Sequence, residues 1–232
     1  MKSKELFTKS VSFLLLAILL CSSLLLVSCK TKDRKYNEEE VAEAARDLIF
    51  RSILLNEIYY GYGIPVLNDL SEANGNYYPA DPVFLRKNGF TTVEELKRMT
   101  EAVFTRALCE SIYQTKFSSV SDGDGIKSFS RYYQKYEDAA QTIPVTIMVN
   151  TEAEVFLIDR VIYDFESLAV EGAEGEKVYV RMNAKAENAE GEVQESILRG
   201  ALIEEENGWR LDSPTYRRYN PDLERYNDLK NK

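Results

Sequence analysis

The chain has 232 residues, with 38 acidic and 29 basic side chains and a net charge of −9 at pH 7. It contains no histidine, which excludes Ser-His-Asp and Cys-His hydrolases, histidine metal sites and the most common general base. An acidic surface disfavours nucleic acid and anionic lipid headgroups as partners, and it favours basic partners, cations or simple solubility.

The first 29 residues contain, in order, a basic start, an apolar run and a cysteine preceded by a small residue. Three lysines precede an apolar stretch at 11–27, which has only short polar breaks. The stretch leads into four residues, Leu26, Val27, Ser28 and Cys29. These four residues resemble the lipobox of bacterial lipoproteins, Leu-x-small-Cys.

The lipobox resemblance implies that residues 1–28 are a signal peptide, that the thiol of Cys29 is acylated and that 29–36 form a lipidated stalk. The folded part would then lie on the extracytoplasmic face of the cell membrane, because the initial lysines stay in the cytoplasm. An uncleaved transmembrane helix is the alternative, since 11–27 approaches the roughly 20 residues that span a bilayer. The lipobox is favoured because a plain anchor needs no cysteine at the polar edge of its apolar run.

After removal of 1–28, 37 acidic and 26 basic residues remain, which gives the mature chain a net charge of −11. A chain of this length supports one substantial core. We therefore expect a single domain at 37–216, followed by a polar tail at 217–232. Cys109 has neither an intrachain disulfide partner nor a histidine to activate it, and it is predicted to be a small apolar helix residue.

The domain is predicted to begin with an amphipathic helix. Asn37 and Glu40 resemble a helix start, and apolar residues then recur at helical spacing as far as Gly61 and Gly63. Residues 64–88 are expected to form an irregular loop, because they include three prolines and an Asn-Gly pair.

A second helix is predicted from Thr92 to about Phe117, because Thr92 and Glu95 have the spacing of a capping box. The acidic, glycine-rich residues 122–125 are predicted to be a turn. They lack the third acidic position and the distant glutamate of a calcium loop. Residues 129–140 are predicted to be a short third helix.

From Thr142 onwards the apolar period changes from 3.6 to 2, which predicts strands. These strands are expected at 142–149, 155–170, 177–187, 193–204 and 209–216. In 177–187 the apolar and polar residues alternate, as in an antiparallel strand with one wet face. The order predicts an α+β fold in which two to three N-terminal helices pack on a curved antiparallel sheet.

The layout resembles cystatin-like and nuclear-transport-factor-2-like domains, whose last strand commonly begins like Asn207-Gly208-Trp209-Arg210-Leu211-Asp212. More narrowly, four features resemble the small secreted inhibitors of bacterial DL-endopeptidases, which restrain cell-wall hydrolases. These features are Tyr59-Tyr60-Gly61, the helix start Phe90 to Lys97, Phe104-Thr105 and Gly208-Trp209-Arg210. The chain departs from that family in its lipid anchor and in its longer loop at 64–88.

Two functions from different classes are consistent with these observations. The resemblance implies a non-catalytic inhibitor or regulator that presents an acidic face and tyrosine-bearing loops to a basic cell-wall hydrolase domain. The alternative is a small-ligand-binding lipoprotein with a cavity between its helices and its concave sheet. No cofactor or metal is expected, and a carboxylate pair for glycoside cleavage is neither indicated nor excluded. The candidate contact residues are Tyr59, Tyr60, Tyr62, Tyr77 and Tyr78, supported by Glu171, Glu174 and Glu176.

Lipidation gives the first testable prediction. Cells supplied with a labelled fatty acid should incorporate the label into this protein, and Cys29→Ser should abolish incorporation because serine lacks the thiol. Autoradiography of the isolated protein measures the effect, and Cys109→Ser is the matched control that keeps its label. Equal labelling of the Cys29→Ser variant would contradict the lipobox assignment.

Overall fold

The computed structural model describes residues 36–67, 71–118, 120–121, 126–128, 130–153, 160–187 and 191–216. The predicted signal peptide, Cys29, the turn at 122–125 and the tail at 217–232 lie outside the described residues. The chain divides into two compact units, of which the larger comprises Tyr36–Gly172 and Lys177–Lys232. In the smaller unit only Ala173–Glu176 is described. Within the described ranges, none of the helices has the length and apolar character of a membrane span.

Helices occupy the N-terminal part of the described chain. They are α1 (Glu38–Tyr59), α2 (Pro82–Lys87), α3 (Val93–Glu101) and α4 (Arg106–Lys116). The helix predicted after Asn37 is confirmed as α1. The Asn37 side chain accepts a hydrogen bond from the Glu39 N–H, and three glutamates in the first turn favour the positive end of the helix dipole. The buried face of α1 includes Val41, Ala45, Leu48, Leu55 and Ile58.

Ten strands form three sheets within the described residues. They are β1 (Tyr77–Pro79), β2 (Val120–Ser121), β3 (Ile126–Ser128), β4 (Tyr132–Tyr136), β5 (Pro144–Asn150), β6 (Arg160–Tyr163), β7 (Ala169–Glu174), β8 (Lys177–Glu187), β9 (Val193–Glu205) and β10 (Gly208–Leu211). The strand orders are β1-β5-β4, β10-β9-β8-β6 with β7 also paired to β8, and β2-β3. The predicted α+β class with strongly curled antiparallel sheet structure is confirmed. The prediction of one sheet is not confirmed, because the described strands form three separate sheets and β5 pairs with β1 and β4 apart from β6 to β10.

Strand β8 matches the predicted limits and the predicted alternation. Its buried residues are Val178, Val180, Met182, Ala184 and Ala186, whereas Arg181, Asn183 and Lys185 are exposed. It pairs with β9 from Lys177 to Glu187 without a break in register. α1 packs on β8 and β10, so the buried face of this sheet and the buried face of α1 share one core.

The helix predicted at 92–117 is instead two helices, α3 and α4, because the backbone between them pairs with β10. The Thr105 N–H donates to the Leu211 carbonyl at 2.9 Å, and the Leu211 N–H donates to the Val103 carbonyl at 2.9 Å. Backbone groups that pair with a strand cannot also make helical hydrogen bonds. Thr105 then caps α4 by accepting a hydrogen bond from the Leu108 N–H.

The loop predicted at 64–88 contains two regular elements, α2 and β1. The Asp81 side chain accepts a hydrogen bond from the Val83 N–H, and Pro82 occupies the first helical position, where its missing N–H costs nothing. β1 adds to the edge of β5. Two of the three prolines that predicted a loop therefore mark the end of a strand, Pro79, and the start of a helix, Pro82.

Three further predictions need correction. The helix predicted at 129–140 is strand β4, which is held in extended form by its pairing with β5. The strand predicted at 155–170 is interrupted, among its described residues, by a 3-10 turn at Phe165–Ser167, which separates β6 from β7. The strand predicted at 209–216 ends at Leu211.

Two adjacent residues before and within β4 hold the C-terminal end of α1. Arg131 is buried, and its guanidinium donates to the carbonyl oxygens of Tyr59 at 3.1 Å and Gly61 at 2.7 Å. The Tyr132 hydroxyl donates to the Ile58 carbonyl at 2.6 Å. The last carbonyls of a helix lack partners within the helix and carry the negative end of its dipole. A cation at this position therefore stabilises the helix end.

Gly63 leaves room for this contact. Its φ of +87° lies in the region that favours glycine, and a Cβ there would lie 2.5 Å from a guanidinium nitrogen of Arg131. The predicted helix-ending glycine therefore also admits the arginine.

Arg131→Met should lower the free energy of unfolding by about 3 kcal/mol, because hydrogen bonds from charged donors contribute about 1.5–3 kcal/mol each. Urea denaturation followed by circular dichroism measures the change. Arg86→Met is the matched control, since Arg86 is exposed on α2, and it should shift stability by less than about 0.5 kcal/mol. Equal losses in the two variants would show that the buried contact contributes nothing specific.

Candidate binding cleft

Tyr59 lies on the inward side of α1. It is 0% exposed, and its hydroxyl shares a hydrogen bond of 2.7 Å with Thr100 Oγ1, which itself donates to the Leu96 carbonyl. Burial raises the pKa of Tyr59 well above its ordinary value. The ring of Tyr59 therefore belongs to the core, and it offers no exposed surface for the predicted contact with a partner.

Tyr60 and Tyr62 lie nearer the surface. Tyr62 is 78% exposed. Tyr60 is half-buried, and its ring stacks on that of Tyr216 with centroids 4.2 Å apart and 24° between the planes. Burial, reinforced by Tyr216, raises the pKa of Tyr60 to about 12. Much of the Tyr60 ring is therefore covered by the ring of Tyr216, whereas the Tyr62 side chain stays accessible to a partner.

Tyr77 and Tyr78 lie on β1, not on an irregular loop, and both are half-buried. The Tyr77 hydroxyl donates to the Ser130 carbonyl at 2.7 Å, and its ring meets that of Tyr133 edge-on with centroids 4.8 Å apart. These contacts explain the half-buried state of Tyr77. The structure does not bring the five predicted tyrosines together on one surface.

The acidic residues proposed as electrostatic support differ from one another. A carboxylate oxygen of Glu171 lies 3.7 Å from Nε of Arg181, and the other lies 3.5 Å from Nε of Arg199. Glu174 and Glu176 are exposed. Two arginines therefore offset the charge of Glu171.

A cleft of about 860 Å³ lies along one side of α1. Its walls come from α1, α3, β6 and the segment that follows β10. The apolar wall includes Phe50, Ile53, Leu54, Met99, Val161 and Tyr163, and the polar groups are Arg51, Asn56, Glu57 and Arg160. A mostly apolar wall with few polar groups and a volume of this order is typical of ligand pockets.

Phe50 and Ile53 are the notable apolar side chains of the cleft. Phe50 is 65% exposed and Ile53 is 39% exposed, and with Tyr62 they form an accessible apolar rim. Exposed apolar surface that is continuous with a cleft is a common mark of an interaction site. Neither Phe50 nor Ile53 is among the predicted contact residues, although their positions between the buried residues of α1 were the available indication.

The segment after β10 is tied to α1 by a chain of buried hydrogen bonds. The Asn56 side-chain N–H donates to Thr215 Oγ1 at 2.8 Å, and Thr215 Oγ1 lies 2.5 Å from Ser52 Oγ. Because Ser52 Oγ donates to the Ile49 carbonyl at 2.7 Å, the Thr215 hydroxyl is the donor to Ser52. This anchor places Tyr216 at the wall of the cleft.

Two further polar groups complete this end of the cleft. The Tyr163 hydroxyl donates to the Thr215 carbonyl at 2.9 Å, and burial raises the pKa of Tyr163 to about 12. The Asn56 Oδ1 atom is buried and, among the described residues, has no hydrogen-bond partner. Because an unpaired buried acceptor is costly, it marks a place where an incoming donor would be stabilised.

The charged side chains of the cleft all have partners within the described domain. Arg51 pairs with Asp47 at 3.1 Å, and Arg160 pairs with Glu187 at 3.5 Å. The Glu57 carboxylate accepts a hydrogen bond from the Tyr62 N–H at 2.9 Å. These groups are suited to orienting a bound molecule.

The described part of the chain contains no cluster of three metal-ligating side chains. Cys109 is buried on α4, as predicted, and burial raises the pKa of its thiol to about 11. A thiol that stays protonated at neutral pH is a poor nucleophile. The apolar wall of the cleft and its few polar groups can contact and orient a bound molecule.

The chain matches no protein-family model, and neither a curated protein nor a solved structure shows significant similarity to it. The resemblances to lipoproteins and to DL-endopeptidase inhibitors therefore stay predictions.

Tyr163→Phe tests the anchor at the cleft. Removing its hydrogen bond should lower the free energy of unfolding at pH 7 by about 1 kcal/mol. A tyrosine whose pKa is raised on folding contributes stability below its unfolded pKa of about 10, and loses it as pH rises towards 12. The deficit of the variant should therefore shrink above pH 10.

Urea denaturation at pH 7 and pH 11 measures both effects. Tyr179→Phe on β8, outside the cleft lining, is the control for removal of a tyrosine hydroxyl at pH 7. A constant deficit for Tyr163→Phe across this range would show that its burial is not linked to folding.

Proposed function

We propose that this chain is a non-catalytic binding domain that is held at the extracytoplasmic face of the membrane by a lipid on Cys29. It acts by taking an apolar segment of a partner protein into the cleft beside α1. The observation that carries this proposal is the exposed aromatic rim, with Phe50 65% and Tyr62 78% exposed. Aromatic residues at the mouth of a cleft are typical of the few side chains that dominate binding energy.

The proposed partner is a basic cell-wall hydrolase domain, in particular a DL-endopeptidase, which this chain restrains. The net charge of −11 for the mature chain supports this proposal, because long-range attraction raises the association rate of a basic partner. The inhibitor-like motif Tyr59-Tyr60-Gly61 ends α1 beside Tyr62, and the motif that starts at Phe90 leads into α3, which supplies Met99 to the cleft. Each of these two motifs thus ends within two residues of a lining residue in the sequence, although neither contributes a lining residue itself.

The finer fold class proposed with this function is cystatin-like or nuclear-transport-factor-2-like. Helices that precede and pack on strongly curled antiparallel sheet structure are compatible with both architectures.

A small apolar ligand is the second candidate occupant. The volume of about 860 Å³ suits a small molecule, and the unpaired Asn56 Oδ1 would accept a hydrogen bond from its polar end. Such binding would be nearly indifferent to salt, because little of its energy comes from exposed charges.

Titration with purified cell-wall hydrolase domains at low and high salt tests the first candidate. We expect a saturable complex that weakens steeply as salt rises. Phe50→Ala should weaken it about tenfold or more, because truncation of a central aromatic anchor costs more than about 1 kcal/mol.

Val83→Ala is the matched control for Phe50→Ala. Val83 is 63% exposed on α2, outside the cleft lining, so its truncation should change affinity less than about twofold. The first candidate fails if no hydrolase is bound or inhibited, and the cleft is the wrong surface if both variants weaken binding equally. Salt-independent uptake of an apolar dye that Phe50→Ala removes, without any hydrolase complex, favours the second candidate.

A further inference from the structure

β6 forms one wall of the cleft and lies at an edge of its sheet. It pairs with β8 on one side, and in the part of the chain that the structure describes no strand pairs with its other side. Val161 and Tyr163 of β6 line the cleft and are half-buried. A strand edge with unpaired backbone groups can pair with a strand from another chain. The cleft therefore combines an apolar wall with such an edge.

The register of β6 identifies the backbone groups that face this open edge. The Asp164 N–H donates to the Asn183 carbonyl at 3.0 Å, so the backbone of Asp164 is directed towards β8. In an antiparallel pair this direction alternates from one residue to the next. The backbone N–H and C=O groups of Ile162 therefore also point towards β8, whereas those of Val161 and Tyr163 point away from it.

α1 supplies apolar surface next to this edge. The ring of Phe50 meets that of Phe165, in the turn after β6, edge-on with centroids 6.3 Å apart, yet Phe50 stays exposed. Ile53, about one helical turn further along α1, is also exposed and lines the same cleft. A strand added beside β6 would direct every second side chain towards this surface. A segment with alternate apolar residues therefore fits the site.

The charges at the two ends of β6 differ. Arg160 at its start is paired with Glu187 at 3.5 Å. Asp164 and Glu166, which follow its last residue, are exposed, and neither forms an ion pair with another described residue. The open edge therefore carries uncompensated negative charge near its C-terminal end, which complements a basic side chain.

We propose that the partner's segment binds in the cleft as an extended strand that pairs with the open edge of β6. Its backbone bonds to the N–H and C=O groups of Val161 and Tyr163, its alternate apolar side chains contact Phe50 and Ile53, and a basic side chain lies near Asp164. Addition of a strand to a sheet edge is a recurrent mode of peptide recognition, in which main-chain hydrogen bonds give affinity and alternate side chains give specificity. This inference rests on the proposed function, because it specifies how a protein partner occupies the cleft.

Two substitutions at Val161 test the pairing. Val161→Pro removes the outward N–H but no hydrogen bond to β8, and proline is tolerated in edge strands. It should weaken binding of a purified DL-endopeptidase domain to the full chain in detergent about tenfold or more. Val161→Ala is the matched control, which shortens the side chain but keeps the N–H, and it should weaken binding less than about threefold. Calorimetric titration measures both affinities, and equal losses would overturn the pairing.

Amide hydrogen exchange of the unmodified chain gives a second measurement that needs no variant. A saturating amount of the hydrolase domain should slow exchange of the Val161 and Tyr163 amides about tenfold or more, because both gain an acceptor. The Ile162 amide, which is directed towards β8, should slow by a smaller factor. NMR spectroscopy resolves these positions. A Phe50-dependent complex that leaves the Val161 and Tyr163 amides unchanged would overturn this inference and keep the proposed function.

A synthetic peptide separates the pairing from the choice of hydrolase. The probe is Lys-Val-Thr-Val-Thr-Lys, with its valines on the cleft side. Directly paired residues of neighbouring strands share a face, so the valine N–H groups would point at β6. N-methylation of the two valines should abolish binding, whereas N-methylation of the two threonines should not.

The chemical shifts of the Val161 and Tyr163 amides report peptide binding. Binding that only valine methylation abolishes, without any hydrolase complex, would uphold the pairing and remove the hydrolase from the proposed function. Equal binding of the two methylated peptides would overturn the pairing. Absence of binding by both the peptide and the hydrolase domain would remove the pairing and the hydrolase together.

Discussion

The buried guanidinium of Arg131 at the C-terminal end of α1 is the contact on which the rest of the structure depends. It donates hydrogen bonds to the carbonyls of Tyr59 and Gly61 and so stabilises the end of the helix. The chain then turns through Gly63, which leaves Tyr62 at the surface and directs Tyr60 against Tyr216. Arg131 also directly precedes β4, so its contact positions the end of α1 against the sheet that contains β4.

α1 has two apolar faces, one in the core and one at the cleft. One face supplies the core, and an adjacent face carries Phe50 and Ile53 at the mouth of the cleft. A helix can keep such a second apolar face exposed only if its first face binds it firmly to the domain, since exposed apolar area contributes nothing to folding. Burial against β8 and β10 at one face, and the Arg131 contact at the end, meet that condition.

The sequence predicts best the elements whose apolar periodicity arises only from the burial of one face. α1 and β8 each bury one face against the core, and their periods of 3.6 and 2 follow directly from that burial. The break before α4 has a different cause, because the Thr105 N–H pairs with Leu211, more than a hundred residues further along the chain. The spacing of apolar residues along 92–117 cannot indicate a hydrogen-bond partner that lies so far away in the sequence.

The residues of the candidate site were also hard to predict, because their exposure depends on contacts with distant parts of the chain. Tyr59 and Tyr62 are three residues apart with similar sequence surroundings, yet one is fully buried and the other is the most exposed large apolar side chain described. The difference arises from Arg131 and from the turn that follows α1. Phe50 and Ile53 continue the apolar character of α1, and only the position of β6 and of the segment after β10 shows that they border a cleft.

Thr215 joins Ser52 across 163 residues, and this separation has a consequence for the order in which the molecule matures. A chain that emerges from a ribosome with α1 in front cannot close this contact until residue 215 has emerged. Contacts between distant positions form late because the intervening loop must first be ordered. Until then the hydroxyl and amide groups of Ser52 and Asn56 remain hydrated, and the groove beside them has only three of its walls.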